Sequence, residues 1–205
     1  MSKIESKIEK ICVYCGSGGG TNPAYIQSAT DFGTIMAQNG IGLVYGGGDV
    51  GMMGMVADAV RNGGGHVDGI IPEFLLTKER AGKIGPGLMV TQDMHQRKMK
   101  MFEMADAFVA MPGGIGTLEE IVEQMTWAQL GRHKKPILLA NIDKFWEPLC
   151  ALLDHMRKTE FIRAEFNIDL LVADNTEDIL PMLQKAAAEN SDAAKAMKAV
   201  APEKL

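Results

Sequence analysis

The chain predicts a doubly wound α/β fold, a mostly parallel sheet covered on both faces by helices. Two patterns point to it. Short apolar runs bounded by glycine alternate with longer segments of helical period, which is how buried parallel strands and their crossover helices read. Glycine clusters also follow three of the predicted strands directly, as tight strand-to-helix turns require. The 205 residues show no linker or break in composition, so a single core is expected.

Strands are predicted at "KICVYCG" (10–16), "IGLVY" (41–45), "HVDGII" (66–71), "GLMVT" (87–91), "DAFVAM" (106–111), "KPILLA" (135–140) and "DLLVA" (169–173). The first helix has Asn22 as N-cap, Pro23 at its first position and Gly40 as its stop. A second runs from about Val50 to Asn62 and ends at the glycines 63–65. Asp143 is expected to cap a helix carrying Trp146, Leu149 and Leu153 on one side. The stretch 72–87 lacks a clear period and suits a binding loop or lid. Residues 1–188 are read as the domain and 189–205, rich in alanine and lysine, as a tail, either frayed helix or mobile.

Acidic residues outnumber basic ones only 26 to 21, which calls for neither nucleic acid nor a membrane as partner. The N-terminal "MSKIESKIEKICVYCG" lacks the apolar core of a signal peptide, and no stretch reaches a membrane-spanning length. A soluble cytoplasmic protein is expected. Cys12, Cys15 and Cys150 offer no disulfide framework. Cys12 and Cys15 form C-x-x-C, but an offset of three on a strand sends them to opposite faces, so they read as buried free thiols.

The three glycine clusters are "CGSGGGT" (15–21), "YGGGDVGMMG" (45–54) and "MPGGIGT" (111–117). If their strands are parallel, the loops converge on one sheet edge, each opening onto a helix N-terminus that favours an anion. Any one cluster could be a tight turn and nothing more; three together favour a phosphate or nucleotide site. Ser17, Gly46, Gly47 and Gly113 lie in these turns and are candidate binding positions. Gly46, Gly48 and Gly51 also have the spacing of a dinucleotide fingerprint, with Glu73 about 20 residues on as ribose acid. That fingerprint belongs after the first strand, where "GSGGGT" does not match it.

"QDMHQRKMKMFEMADA" reads as a helix capped by Asp93, with Gln96 completing a capping box. His95, Arg97, Lys98 and Lys100 then face the positive end of the helix dipole. An anionic ligand or a carboxylate partner would turn that cost into a gain, whereas Lys100 suits plain solvation. The methionines 94, 99, 101 and 104 read as core filler. No H-E-x-x-H, G-x-S-x-G or Walker lysine occurs, so no metal or cofactor is expected.

"MHQRK" (94–98) followed by "PGGIGTLEE" (112–120) resembles the Lonely Guy (LOG) family of nucleoside 5′-monophosphate phosphoribohydrolases. "CGSGGG", "YGGGDVGMMG", "IIPEFLLTKE" and "TWAQLGRHKKPILLAN" follow the same family in order and spacing, over about residues 10–185. The resemblance implies a Rossmann-like domain, a homodimer, and hydrolysis of the N-glycosidic bond in AMP or cytokinin riboside monophosphates. By matching positions it implies that Glu79, Arg97, Lys98, the run Gly114, Ile115, Gly116, Thr117, Leu118, Glu119 and Glu120, and Thr126 bind substrate. Arg97 and Glu120 would be the catalytic pair. Many relatives carry the label lysine decarboxylase, for which no cofactor-lysine context is recognisable. Two positions depart from the family pattern: hydroxyls are missing beyond Ser17, and Ile115 replaces a frequent tyrosine.

Thr117 and Glu120 also form T-x-x-E, a capping box in which the glutamate would only satisfy a backbone donor. The resemblance favours catalysis instead. Glu119, about 100° away on the helix, is expected to matter less. The opposing functional class is a nucleotide-binding module without turnover.

Overall fold

A computed structural model of the chain describes residues 8–76, 86–163 and 168–200, with side chains through 193. All seven expected strands form: β1 Lys10–Tyr14, β2 Gly42–Tyr45, β3 Val67–Pro72, β4 Leu88–Thr91, β5 Ala107–Ala110, β6 Ile137–Ala140 and β7 Leu170–Ala173. They make one sheet in the order β4-β3-β2-β1-β5-β6-β7, and every neighbouring pair is parallel. The fold is Rossmann-like.

The helices are α1 Pro23–Gln38, α2 Gly51–Asn62, α3 Met94–Met104, α4 Ile115–Gln129, α5 Glu147–Lys158 and α6 Thr176–Val200. Asn22 caps α1 by accepting from the Ala24 N–H at 3.0 Å, and Gly40 ends it in the left-handed region. Asp93 caps α3, its Oδ1 accepting from the Gln96 N–H at 2.8 Å. The Gln96 side chain reaches back one residue further than a capping box requires, accepting from the Gln92 N–H.

The expected cap of α5 is overturned. Asp143 and Lys144 adopt positive φ within a short 3₁₀ turn, and the Asp143 carboxylate accepts from Asn22 Nδ2 at 2.6 Å. Trp146 stands at the N-cap of α5, which has no side-chain cap, and the Asn141 Oδ1 accepts from the Trp146 N–H at 2.8 Å. α6 runs through the alanine- and lysine-rich segment to Val200. Among the described residues no helix is long and apolar enough to cross a membrane.

Period-two alternation along the strands divides the core. Ile11, Val13, Leu43, Tyr45 and Val109 pack beneath α1, α2 and α6, whereas Cys12, Tyr14, Val44, Phe108 and Ala110 pack beneath α3, α4 and α5. Cys12 and Cys15 therefore sit in different layers, and burial pushes both thiols far above the ordinary cysteine range. From β1 the chain steps outward through β2 and β3 to β4, and α3 then carries it back across the sheet to β5 on the other side of β1. The loops after β1 and β5 diverge from that point, and the crevice between them is where open α/β sheets bind ligands.

Candidate active site

The crevice is built from backbone. The Gly16 N–H donates to the Pro112 carbonyl at 3.1 Å, joining the loops after β1 and β5, and the Met52 N–H approaches the Gly18 carbonyl at 3.4 Å, bringing in the loop after β2. The three glycine turns thus share one sheet edge. A side chain at Gly113 would overlap Thr117 Oγ1 and come within 2.9 Å of the Gly16 nitrogen, so this position has room only for glycine. Gly16, Ser17, Gly18, Pro112, Gly113 and Gly114 line a cavity of about 280 Å³. Its aromatic wall, Tyr25 and Phe145 packed edge to face, was not singled out in the sequence because these residues lie 120 positions apart.

Beside this crevice α3 crosses α4. Arg97 occupies the same helical face as the fully buried Met101 and is itself only 6% exposed. Its Nε donates to the Ile70 carbonyl within β3, at 3.0 Å, and its Nη1 donates to Glu120 Oε1 at 2.9 Å. Glu120 is on the core face of α4 with Ile121, Gln124 and Met125. Burial of a charged pair demands such close partnering. The capping-box alternative fails on register: α4 begins at Ile115, so Thr117 is its third residue, and the helix has no side-chain cap.

Lys98, the next residue along α3, donates to Glu119 at 2.7 Å and to Glu123 at 2.9 Å. Partial burial pulls its ammonium down, but the bonds to Glu119 and Glu123 outweigh this and hold it above the ordinary lysine value. The cations near the start of α3 are thus answered by carboxylates of α4, which reverses their cost. Lys100 is exposed, as expected.

The other predicted positions divide into those at the crevice and those away from it. Ser17, Gly114, Ile115 and Gly116 are exposed at its mouth, Ile115 at 81%, whereas Thr117 is buried against Gly113 and Leu118 is half-buried. Gly46 and Gly47 are buried at the end of β2. Glu119, half exposed, accepts from Lys98 at 2.7 Å. Thr126 lies further along α4, its hydroxyl donating to the Val122 carbonyl at 2.8 Å. Glu79 lies outside the described residues, as does most of the predicted loop 72–87. Among the described residues no group of three His, Cys, Asp or Glu is arranged to hold a metal ion. At Gly46, the first glycine of the dinucleotide spacing, Arg97 Nη2 lies where a Cβ would fall.

A family model described as possible lysine decarboxylase matches residues 53–183. The cytokinin riboside 5′-monophosphate phosphoribohydrolase LOG7 of Arabidopsis thaliana is 42% identical over 185 residues, spanning 90% of this chain and 85% of that protein. The chain belongs to the LOG family. A second member, the probable cytokinin riboside 5′-monophosphate phosphoribohydrolase LOGL2 of Oryza sativa subsp. japonica, is 39% identical over 95% of this chain and 80% of its own length. The LOG fold extends to distant solved structures. A molybdenum cofactor binding protein from Rippkaea orientalis superposes with a TM-score of 0.65 at 22% identity, covering 87% of this chain and 97% of that one. The Moco carrier protein of Chlamydomonas reinhardtii gives 0.65 at 18% identity, covering 89% and 99%. These two establish the shared fold.

Proposed function

We propose that the protein hydrolyses the N-glycosidic bond of purine nucleoside 5′-monophosphates, AMP or N6-modified cytokinin riboside monophosphates, releasing the free base and ribose 5-phosphate. The observation that carries this reading is the buried Arg97–Glu120 pair, 2.9 Å apart, beside a glycine-lined crevice in a chain of the LOG family.

The chemistry needs an anion near C1′ and an oriented water. As the C1′–N9 bond breaks, its electrons pass to the base and positive charge develops on the sugar. Glu120 stabilises that charge as a carboxylate and takes a proton from the water whose oxygen bonds to C1′; that proton then passes to the departing base, which leaves neutral and restores the carboxylate. Arg97 fixes the direction of Glu120, because its own Nε is held by the Ile70 carbonyl. The N-terminus of α4, from Gly114 to Thr117, offers backbone N–H groups to the 5′-phosphate. The phosphate then serves as a handle that aligns a distant bond. Ser17, Gly47, Gly113, Leu118, Glu119, Lys98 and Glu79 complete the proposed binding surface, with Gly46 beneath Arg97.

We assign the protein to the cytoplasm and to a homodimer. Val122 and Thr126 on α4, and Leu130 just past its last residue, recur every four residues and are exposed, Leu130 at 77%. A second copy seated on this stripe covers the apolar groups and gives Thr126, remote from its own crevice, a place beside the partner's. Sedimentation of Leu130→Glu should show a monomer where the wild type shows a dimer.

The activity is tested by following adenine release from AMP with the wild type, Glu120→Ala and Arg97→Ala. Release by the wild type, lost in both variants, is the expected result. A wild type that binds AMP without releasing base would instead be a nucleotide-binding module.

A further inference from the structure

We propose that Gly46 is a positioning residue for Arg97: the missing side chain at the end of β2 is what lets the guanidinium lie across the sheet edge between Ile70 and Glu120. The inference rests on the reading of Arg97 and Glu120 as the working pair.

The three nitrogens of the guanidinium group have three different surroundings. Nε is tied to the Ile70 carbonyl at 3.0 Å and Nη1 to Glu120 at 2.9 Å. Nη2 lies over Gly46, where a Cβ would overlap it. Met53 Sδ, 3.3 Å from the same point, closes another side of that space. An arginine terminus usually yields to a new methyl group by swinging into solvent. Arg97 is only 6% exposed, so that escape is closed, and its displacement must stretch the bond to Ile70 or to Glu120.

The reason for glycine here is steric and not conformational. Gly47 has φ of +82°, a region that side chains rarely adopt. Gly46 is absent from the positive-φ glycines, so alanine fits its backbone and the damage falls on Arg97. This separates two adjacent glycines of "YGGG" by what each one does: Gly47 makes the turn, and Gly46 clears the path of a charged side chain.

The test is a double-mutant cycle on adenine release from AMP. Gly46→Ala should lower kcat about 10- to 100-fold, the range a misplaced catalytic group costs, with a smaller change in KM. In the Arg97→Lys background, which lacks Nη2, adding Gly46→Ala should cost little more. A loss that persists undiminished in that background means Gly46 acts on substrate or on the loop itself, and overturns the proposal. Full activity in Gly46→Ala also overturns it. The ¹⁵N-detected Arg97 Nε–H signal gives a reading independent of turnover. In the wild type it should be protected from solvent exchange by the Ile70 carbonyl, and in Gly46→Ala that protection should fall or the signal should move. An unchanged Nε–H signal in folded Gly46→Ala overturns the proposal even if the substrate assignment is correct. A wild type that releases no base removes the hydrolase reading while leaving this measurement intact.

Discussion

Arg97 and Lys98 are consecutive cations near the start of α3, and each is bound by carboxylates of α4, yet they are held in different ways. Arg97 meets one carboxylate in a buried setting, with side-chain exposures of 7% and 11% for the pair, and a backbone carbonyl fixes its other end. Lys98 is shared between Glu119 and Glu123, and the Glu119 side chain is half exposed. A buried ion pair is weak evidence of stability, since its desolvation offsets the attraction. A pair kept at that cost beside a ligand crevice is better explained by what it does. The outer set carries a smaller desolvation cost, which two carboxylates outweigh, and works as a tie between two helices.

The largest expected effect separates the two pairs by activity. Glu120→Gln preserves shape and a hydrogen-bond acceptor for Arg97 but removes the charge. It should reduce kcat for adenine release by on the order of 10³-fold. Glu123→Gln, the comparable change in the outer pair, should stay within about 10-fold of the wild type. Equal losses in both would show that α4 needs its charges only for structure.

Stability sharpens the same contrast. Arg97→Ala leaves a buried carboxylate without its guanidinium and should cost about 3–5 kcal/mol in urea unfolding. Replacing both partners together, Arg97→Met with Glu120→Leu, should recover most of that loss while remaining inactive. Lys98→Ala, at a partly exposed site, should cost only about 0.5–1 kcal/mol. A double variant no more stable than Arg97→Ala would indicate that the pair holds the fold together by itself.

How much of this was legible in the sequence follows from the range of the interactions. The strands showed because each is an apolar run, the central ones β2, β3, β5 and β6 buried along their whole length, and the glycine turns because tight connections leave a local mark. The unfavourable charge at the start of α3 was local too, and it pointed to an anionic partner. Which carboxylates would answer depended on α3 crossing back over the sheet, since Arg97 and Glu120 are 23 residues apart. One usable signal was the phase of α3: Arg97 is four residues before Met101, on the apolar face where a solvated arginine has no place. Asp143 does not cap α5 because positive φ at Asp143 and Lys144 accompanies a side chain directed to Asn22, and a capping rule assumes regular backbone. The role of the Ile70 carbonyl carries no sequence signature at all.

The smallest predicted effect concerns the far end of α4, where His133 holds the helix that carries both sets of carboxylates. Its Nε2 lies 3.2 Å from the Gln124 carbonyl, and its Nδ1 accepts from the Lys135 N–H at 3.1 Å. Together these bonds specify the neutral ring with its proton on Nε2. Protonating Nδ1 would remove the acceptor that the Lys135 N–H uses. Burial lowers the His133 pKa below the ordinary histidine value; the bond to Gln124 works against this, and the charges of Lys135 and Arg132 add to the lowering. The sign of the consequence follows from proton counting. A depressed pKa means that the unfolded chain binds the proton first as pH falls, so the contribution is complete above about pH 6.5 and is lost on acidification through the folded value. The melting temperature of the wild type should therefore decline below about pH 6.5 more steeply than that of His133→Asn, which has no proton to gain there. Parallel curves for the two proteins would mean that acid weakens α4 elsewhere. A decline that spares stability but removes activity would move attention back to Glu120, about one turn before Gln124 on the same helix.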